Sequence, residues 1–173
     1  MKKLLTLDSE NYQDCSTLLE KWSTRAIVYR GDKLAMQQDA HGIYKIPGGT
    51  VEQGETYIET LLREVAEETG LLVIEDSIKE IGEIEEIRKD IFDPSTKYVC
   101  HTLYYLCNVR AETVPLSMTK SEIERGFHLS WATPEDIYRT NTTTVPYDFS
   151  HPNKDMCFIK MLLDSQISSI EFA

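Results

Sequence analysis

Three carboxylates, Glu64, Glu67 and Glu68, fall within five residues of one another beside a single arginine, Arg63, in the stretch PGGTVEQGETYIETLLREVAEETGL (residues 47–71). On a helix these positions, i, i+3 and i+4, share one face, where like charges repel by roughly 0.2–0.5 kcal/mol per pair. They also occupy the C-terminal turns of the expected helix, the end at which the backbone dipole disfavours anions. A divalent cation would remove both penalties, and oxygen-only ligands select Mg²⁺ or Mn²⁺ over zinc. Gly48 and Gly49 stand just upstream, where backbone can approach a ligand closely and offer a carbonyl. The competing reading, a solvated acidic face, leaves the glycine pair and the arginine unexplained.

A helix over Thr56–Thr69 must position these acids. Ile58, Leu61, Leu62 and Val65 form its apolar stripe, and Gly70 suits its C-terminal cap. Glu59 and Arg63 have the favoured i,i+4 orientation for an ion pair. Arg63 also reaches back toward Glu55 across two turns.

Around this helix the sequence predicts strands and hairpins. Lys3–Leu7 reads as a short strand and Asp8–Ser23 as irregular. Thr24–Tyr29 and Lys33–Gln37 form a hairpin about Arg30-Gly31-Asp32. Gly42–Ile46, Leu71–Ile74, a segment within Ile78–Arg88, Tyr98–Val109 and Phe127–Trp131 read as further strands. Thr133 caps a helix with Pro134 at its first position, and Met156–Ser165 is the last helix. This order implies a mixed sheet flanked by helices.

With 173 residues, 41% of them apolar, the chain suits one globular domain over 1–173. Its net charge of −11 argues against sequence-independent nucleic-acid binding. Small anionic substrates remain compatible with it if cations accompany them. No apolar run is long enough to span a membrane, and the first residues do not form a signal peptide. Cys15, Cys100, Cys107 and Cys157 form no CxxC pair. They read as free, mostly buried thiols in a cytoplasmic protein.

Gly49, five residues, Glu55, seven residues and Arg63-Glu64-Val65-Ala66-Glu67-Glu68-Thr69-Gly70-Leu71 resembles the complete Nudix box. Lys45-Ile46-Pro47-Gly48 resembles the usual approach to it. The resemblance implies an α/β fold, a Nudix-like α/β/α sandwich around a mixed β-sheet. It implies Mg²⁺-dependent hydrolysis of a nucleoside diphosphate linked to another group, with Mn²⁺ as a possible substitute. Glu64, Glu67 and Glu68 are then the catalytic acids and metal ligands, joined by the Gly48 carbonyl. In some members the acid matching Glu64 is discussed as the base. Glu55 and Arg63 are structural support.

Nudix enzymes often take a further acid from outside the box, and Glu122 and Glu124 are the candidates here, with Glu85 and Glu86 also possible, although a plain surface acid is the commoner role for each. Markers of particular substrates are missing. Positions 85–87 read Glu-Glu-Ile, without the proline of ADP-ribose hydrolases or the tyrosine of dinucleoside polyphosphate hydrolases. The motifs associated with NADH and coenzyme A are also missing. Tyr44, Phe92, Tyr98, Tyr104 and Tyr105 could stack a base, although core packing is the commoner role. Lys45 and Arg88 could touch phosphate. His41, His101, His128 and His151 show no ligand spacing and read as non-catalytic. The expected partner is a small nucleotide-type molecule, with a homodimer possible. The alternatives are a regulatory Nudix domain that binds nucleotide without turnover, and a Nudix-fold isomerase. No cysteine stands near Gly48 to serve as that isomerase's acid.

Overall fold

A computed structural model describes residues 1–144 and 153–167. In chain order its elements are β1 (Lys3–Asp8), β2 (Thr17–Ile27), β3 (Tyr29–Arg30), β4 (Lys33–Gln38), β5 (Tyr44–Lys45), α1 (Tyr57–Thr69) and β6 (Leu71–Val73). There follow β7 (Lys79–Lys89), β8 (Thr96–Leu106), β9 (Val109–Thr113), α2 (Lys120–Glu124), β10 (His128–Ala132), α3 (Pro134–Thr143) and α4 (Lys154–Leu163).

The main sheet has the order β1-β7-β8-β2. It is mixed: β1 runs parallel to β7 and β2 parallel to β8, while β7 and β8 are antiparallel. A second sheet orders β10-β4-β3, with β5 also paired to β4, and β6 pairs with β9. Strand alternation sorts neighbouring side chains to opposite faces. On one face Ala26, Leu103 and Tyr105 meet Leu61 and Val65 of α1. On the other, Ile27, Ile84, Tyr104 and Leu106 meet Ile137 of α3 and Phe158 and Ile159 of α4. Helices therefore cover both faces of a mixed sheet, the expected α/β/α sandwich. Leu61 and Val65 are fully buried; burying such side chains contributes about 1.5–3 kcal/mol each, which fixes the acid-bearing helix on the sheet.

Most element boundaries agree with the sequence within a few residues. Asp8–Ser23 is the exception, since β2 already begins at Thr17. Residues 17–21 are exposed and carry no apolar alternation. They are extended because β8 holds them in register, Thr17 opposite Thr96 through Ile27 opposite Leu106. The short helix α2 and the strand β9 also had no clear periodic signal. His151 lies outside the described residues. Among those described, no helix is long and apolar enough to cross a membrane. The four cysteines are free, with Cys100 and Cys107 buried.

Candidate active site

The glycine pair lies along β2. The Ala26 N–H donates to the Pro47 carbonyl (2.9 Å), the Thr24 N–H to the Gly49 carbonyl (3.0 Å), and the Val51 N–H to the Trp22 carbonyl (2.9 Å). Gly48 has a φ of +136°, and a Cβ there would stand 2.1 Å from the Thr24 carbonyl oxygen. At Gly49 a Cβ would stand 2.2 Å from a Glu64 carboxylate oxygen. Gly48 requires glycine for the backbone approach, and Gly49 leaves room for the box carboxylate that rests on the loop.

The helix itself starts on a capping box. The Thr56 hydroxyl accepts from the Glu59 N–H, and the Glu59 carboxylate accepts from the Thr56 N–H. Gly70 closes the helix in the left-handed region at φ +72°. Glu59 is thus occupied by the cap, and the expected Glu59–Arg63 pair does not form. Arg63 instead spends its guanidinium on three other acids. Nε and Nη2 donate to the two oxygens of Glu55 (2.6 and 2.9 Å), while Nη1 donates to Glu64 (2.8 Å) and Glu67 (3.2 Å). The Thr60 hydroxyl also donates to Glu55 (2.7 Å). Arg63, and then Thr60, hold the Glu55 carboxyl down at about 2.

Glu68 points inward and is only 2% exposed. It accepts from Lys45 Nζ (2.8 Å) and from the Gly48 N–H (2.7 Å). Burial pushes its carboxyl above the usual carboxylate range, and Lys45, Gly48 and Arg25 oppose that shift without cancelling it. The repulsion among the box acids is therefore met in part within the chain, by Arg63 on Glu64 and Glu67 and by Lys45 on Glu68. A dication is not the sole source of compensation, as the sequence suggested.

The acids outside the box separate clearly. Glu122 caps α2 through Thr119 and lies in the field of Lys45, in contact with Glu68. Burial pushes its carboxyl up, but Thr119, Lys45 and Glu68 outweigh burial and hold it below the usual range. Glu124 faces outward, with Lys120 at 3.7 Å. Glu85 accepts from Lys3 (2.8 Å) and Thr6 (3.2 Å). Glu86 is buried between Arg88 and Lys154, each at 2.8 Å. Lys45 and Arg88, which could touch phosphate, are thus both paired with acids.

The aromatic candidates divide in the same way. Tyr104 stacks on Phe158 in the core with ring centroids 4.1 Å apart, and Tyr105 is buried under α1. Tyr98 lies under the Arg88 guanidinium at 4.2 Å. Tyr44 is partly buried against the α4-side core, and Phe92 is 90% exposed.

Arg25 and Asp155 support the loop without any mark in the sequence. Arg25 donates from Nε to Asp155 (3.2 Å) and from Nη1 to the Thr24 carbonyl (3.0 Å). Asp155 also accepts from the Ile46 N–H (3.2 Å) and the Tyr104 hydroxyl (3.4 Å). The glycine loop is therefore tied to α4. Gln37, opposite Lys45 in the β4–β5 ladder, is fully buried, and among the described residues neither amide atom has a partner.

The NUDIX domain family model matches residues 20–151. The chain belongs to the Nudix family. Among Nudix proteins it is 29% identical over 119 residues to Nudix hydrolase 2 of Arabidopsis thaliana, covering 69% of this chain and 38% of that protein. It is 35% identical over 57 residues to the uncharacterized Nudix hydrolase YvcI of Bacillus subtilis (strain 168), covering 32% of this chain and 36% of that one. The matches thus span well under half the length of these relatives. A Nudix hydrolase structure from Nitrosomonas europaea superposes with a TM-score of 0.60 at 17% identity, over 86% of this chain and 90% of its own. The solution structure of the E. coli ORF135 protein gives 0.57 at 15% identity, over 89% and 96%. At such identities the likeness concerns the Nudix fold alone.

Proposed function

We propose that this Nudix protein is a Mg²⁺-dependent pyrophosphohydrolase. Its substrate is a nucleoside diphosphate linked to another moiety, cleaved by attack of water on phosphorus. One observation supports this: Glu64 and Glu68 lie against the Gly48–Gly49 loop, and Arg63 holds Glu67 beside Glu64.

The donor set fits a hard dication, since every side-chain ligand offered is a carboxylate oxygen. Glu64, Glu67, Glu68 and the Gly48 carbonyl would hold it, with Mn²⁺ as a substitute. When bound, such an ion neutralises diphosphate charge and lowers the pKa of a coordinated water. The chain's own residues do the positioning. Arg63 keeps Glu64 and Glu67 side by side, Gly48 and Lys45 fix both oxygens of Glu68, and Glu55 holds Arg63 in place. Glu64, resting on Gly49, is the acid we assign to the water's proton. Glu122 is the extra acid, because of the outside candidates it is the one that lies beside a box carboxylate, Glu68. Small nucleotides and nucleotide sugars are the substrate class.

The test is a hydrolysis screen over nucleoside triphosphates, oxidised nucleotides, nucleotide sugars and dinucleotides. Glu67→Gln is expected to lower the Mg²⁺-dependent rate by about 10²–10³-fold, the size seen when one electrostatic contact to a transition state is removed. A wild-type rate in that variant would take Glu67 out of the site.

A further inference from the structure

Outside the box, one group of side chains has the geometry of a second metal site. Glu85 of β7 stands directly opposite His101 of β8 in their antiparallel ladder, and Glu83 lies two residues along on the same face. Trp22 of β2 is His101's partner on the other side. It stacks on the imidazole with centroids 4.0 Å apart and planes at 16°, which fixes the ring plane. The ring's two nitrogens then have different neighbours. Nε2 meets Glu20 at 2.9 Å, whereas Nδ1 meets Glu83 at 2.7 Å and Glu85 at 3.9 Å. One ligand atom from each of Glu83, Glu85 and His101 lies within 4.8 Å of the other two.

We propose that Glu83, Glu85 and the Nδ1 of His101 form a binding site for a borderline divalent ion, Zn²⁺ above all, separate from the box glutamates. Two arguments carry it. The first is a count of protons. A neutral ring has one hydrogen for two carboxylates, so in either tautomer one ring lone pair faces an acid, Glu83 at Nδ1 or Glu20 at Nε2. A cation relieves this, either a second proton on the ring or a metal ion on Nδ1, and the metal requires the 2.7 Å contact with Glu83 to open to about 3.3 Å, the spacing of two ligands on one ion. The second is the arrangement of the outer partners. A metal-bound imidazole characteristically donates its other N–H to a carboxylate, the place Glu20 takes here. One oxygen of Glu85 is likewise held, by Lys3 (2.8 Å) and Thr6 (3.2 Å), which leaves the other to turn inward.

One imidazole nitrogen with carboxylate oxygens is a donor set suited to zinc, whose bonds to N and O run about 2.0–2.2 Å. All three side chains are 11–15% exposed, so an ion can enter yet loses most of its water. The charged groups facing the ring are Glu20 from β2, Glu83 and Glu85 from β7, and Lys3 of β1 through Glu85. Binding releases the Nδ1 proton wherever the ring was protonated, so affinity rises with pH until the ring is neutral.

The experiment is a Zn²⁺ titration of the full chain with ¹⁵N-labelled histidine, followed through the imidazole nitrogens. The expected result is a shift of the His101 Nδ1 resonance, saturating at one equivalent, with proton uptake by the buffer at slightly acidic pH. Glu83→Gln and Glu85→Gln should each weaken the shift about tenfold or more, with far-ultraviolet circular dichroism unchanged. Glu67→Gln should leave it intact, which separates this site from the box. If His101 does not move under a large excess of Zn²⁺, or moves equally in Glu83→Gln, the cluster is a protonated histidine between acids and the proposal is overturned.

Discussion

Gly48 and Gly49 are neighbours with different duties, and substitution should separate them. In Gly48→Ala the new Cβ meets backbone at a positive φ, so the chain itself must shift. Strain of about 1–3 kcal/mol should lower the melting temperature by several degrees, at about 2–4 °C per kcal/mol for a chain of this size. In Gly49→Ala the atoms nearest the Cβ are the carboxylate end of the Glu64 side chain, which can swing away. Activity should then fall at nearly unchanged melting temperature, and a pair of melts beside a rate assay reads the difference. Glu55 gives a pH signature. Its carboxyl is held near 2 against an ordinary 4.5, so its ionised form favours the folded state. That contribution is whole above about 4.5 and is lost as pH falls toward 2. Melts of the wild type and Glu55→Gln should differ at neutral pH and converge through that window. Box residues were legible because the chemistry needs them at fixed spacing on one helix. Lys45, Arg25 and His101 were not, because their partners lie far away in sequence and meet them only through folding.

At the scale of the element, α1 was legible in its apolar stripe and terminal glycine, whereas its N-terminal cap, Thr56 with Glu59, was not. Its start depends on a reciprocal cap, so Thr56→Ala should cost about 1 kcal/mol and about 2–4 °C in melting temperature. Thermal circular dichroism would detect it. The same cap explains why the i,i+4 rule failed for Glu59. A nearby backbone N–H with no other partner competes for that carboxylate and wins, which frees Arg63 to serve Glu64 and Glu67. β2 was hidden for a related reason: its first half is exposed and has no apolar alternation, and only the parallel ladder with β8 extends it. The β7–β8 pairing likewise creates the Glu83–Glu85–His101 group from segments whose separate spacings show nothing.

At the scale of the molecule, the sandwich keeps the box acids on one face of the sheet and α4 on the other. Arg25 links them as a mostly buried cation, donating to Asp155 of α4 within the field of Glu68. Burial opposes its charge, and Asp155 is the main group that sustains it. Asp155→Ala leaves that charge without its carboxylate, a change that costs about 3–5 kcal/mol in buried pairs. Urea unfolding should show the midpoint drop with the slope unchanged. The fold class was legible from the alternation of hairpins and helices, whereas this link across the layers was not, since no local pattern marks Asp155. The link also bears on recombination. One acid from the last helix seats the amide just ahead of the glycine turn, so the two ends of the chain are not interchangeable modules. A chimera that took its C-terminal portion from a cousin would keep the turn seated only if the donor brought a carboxylate to that spot.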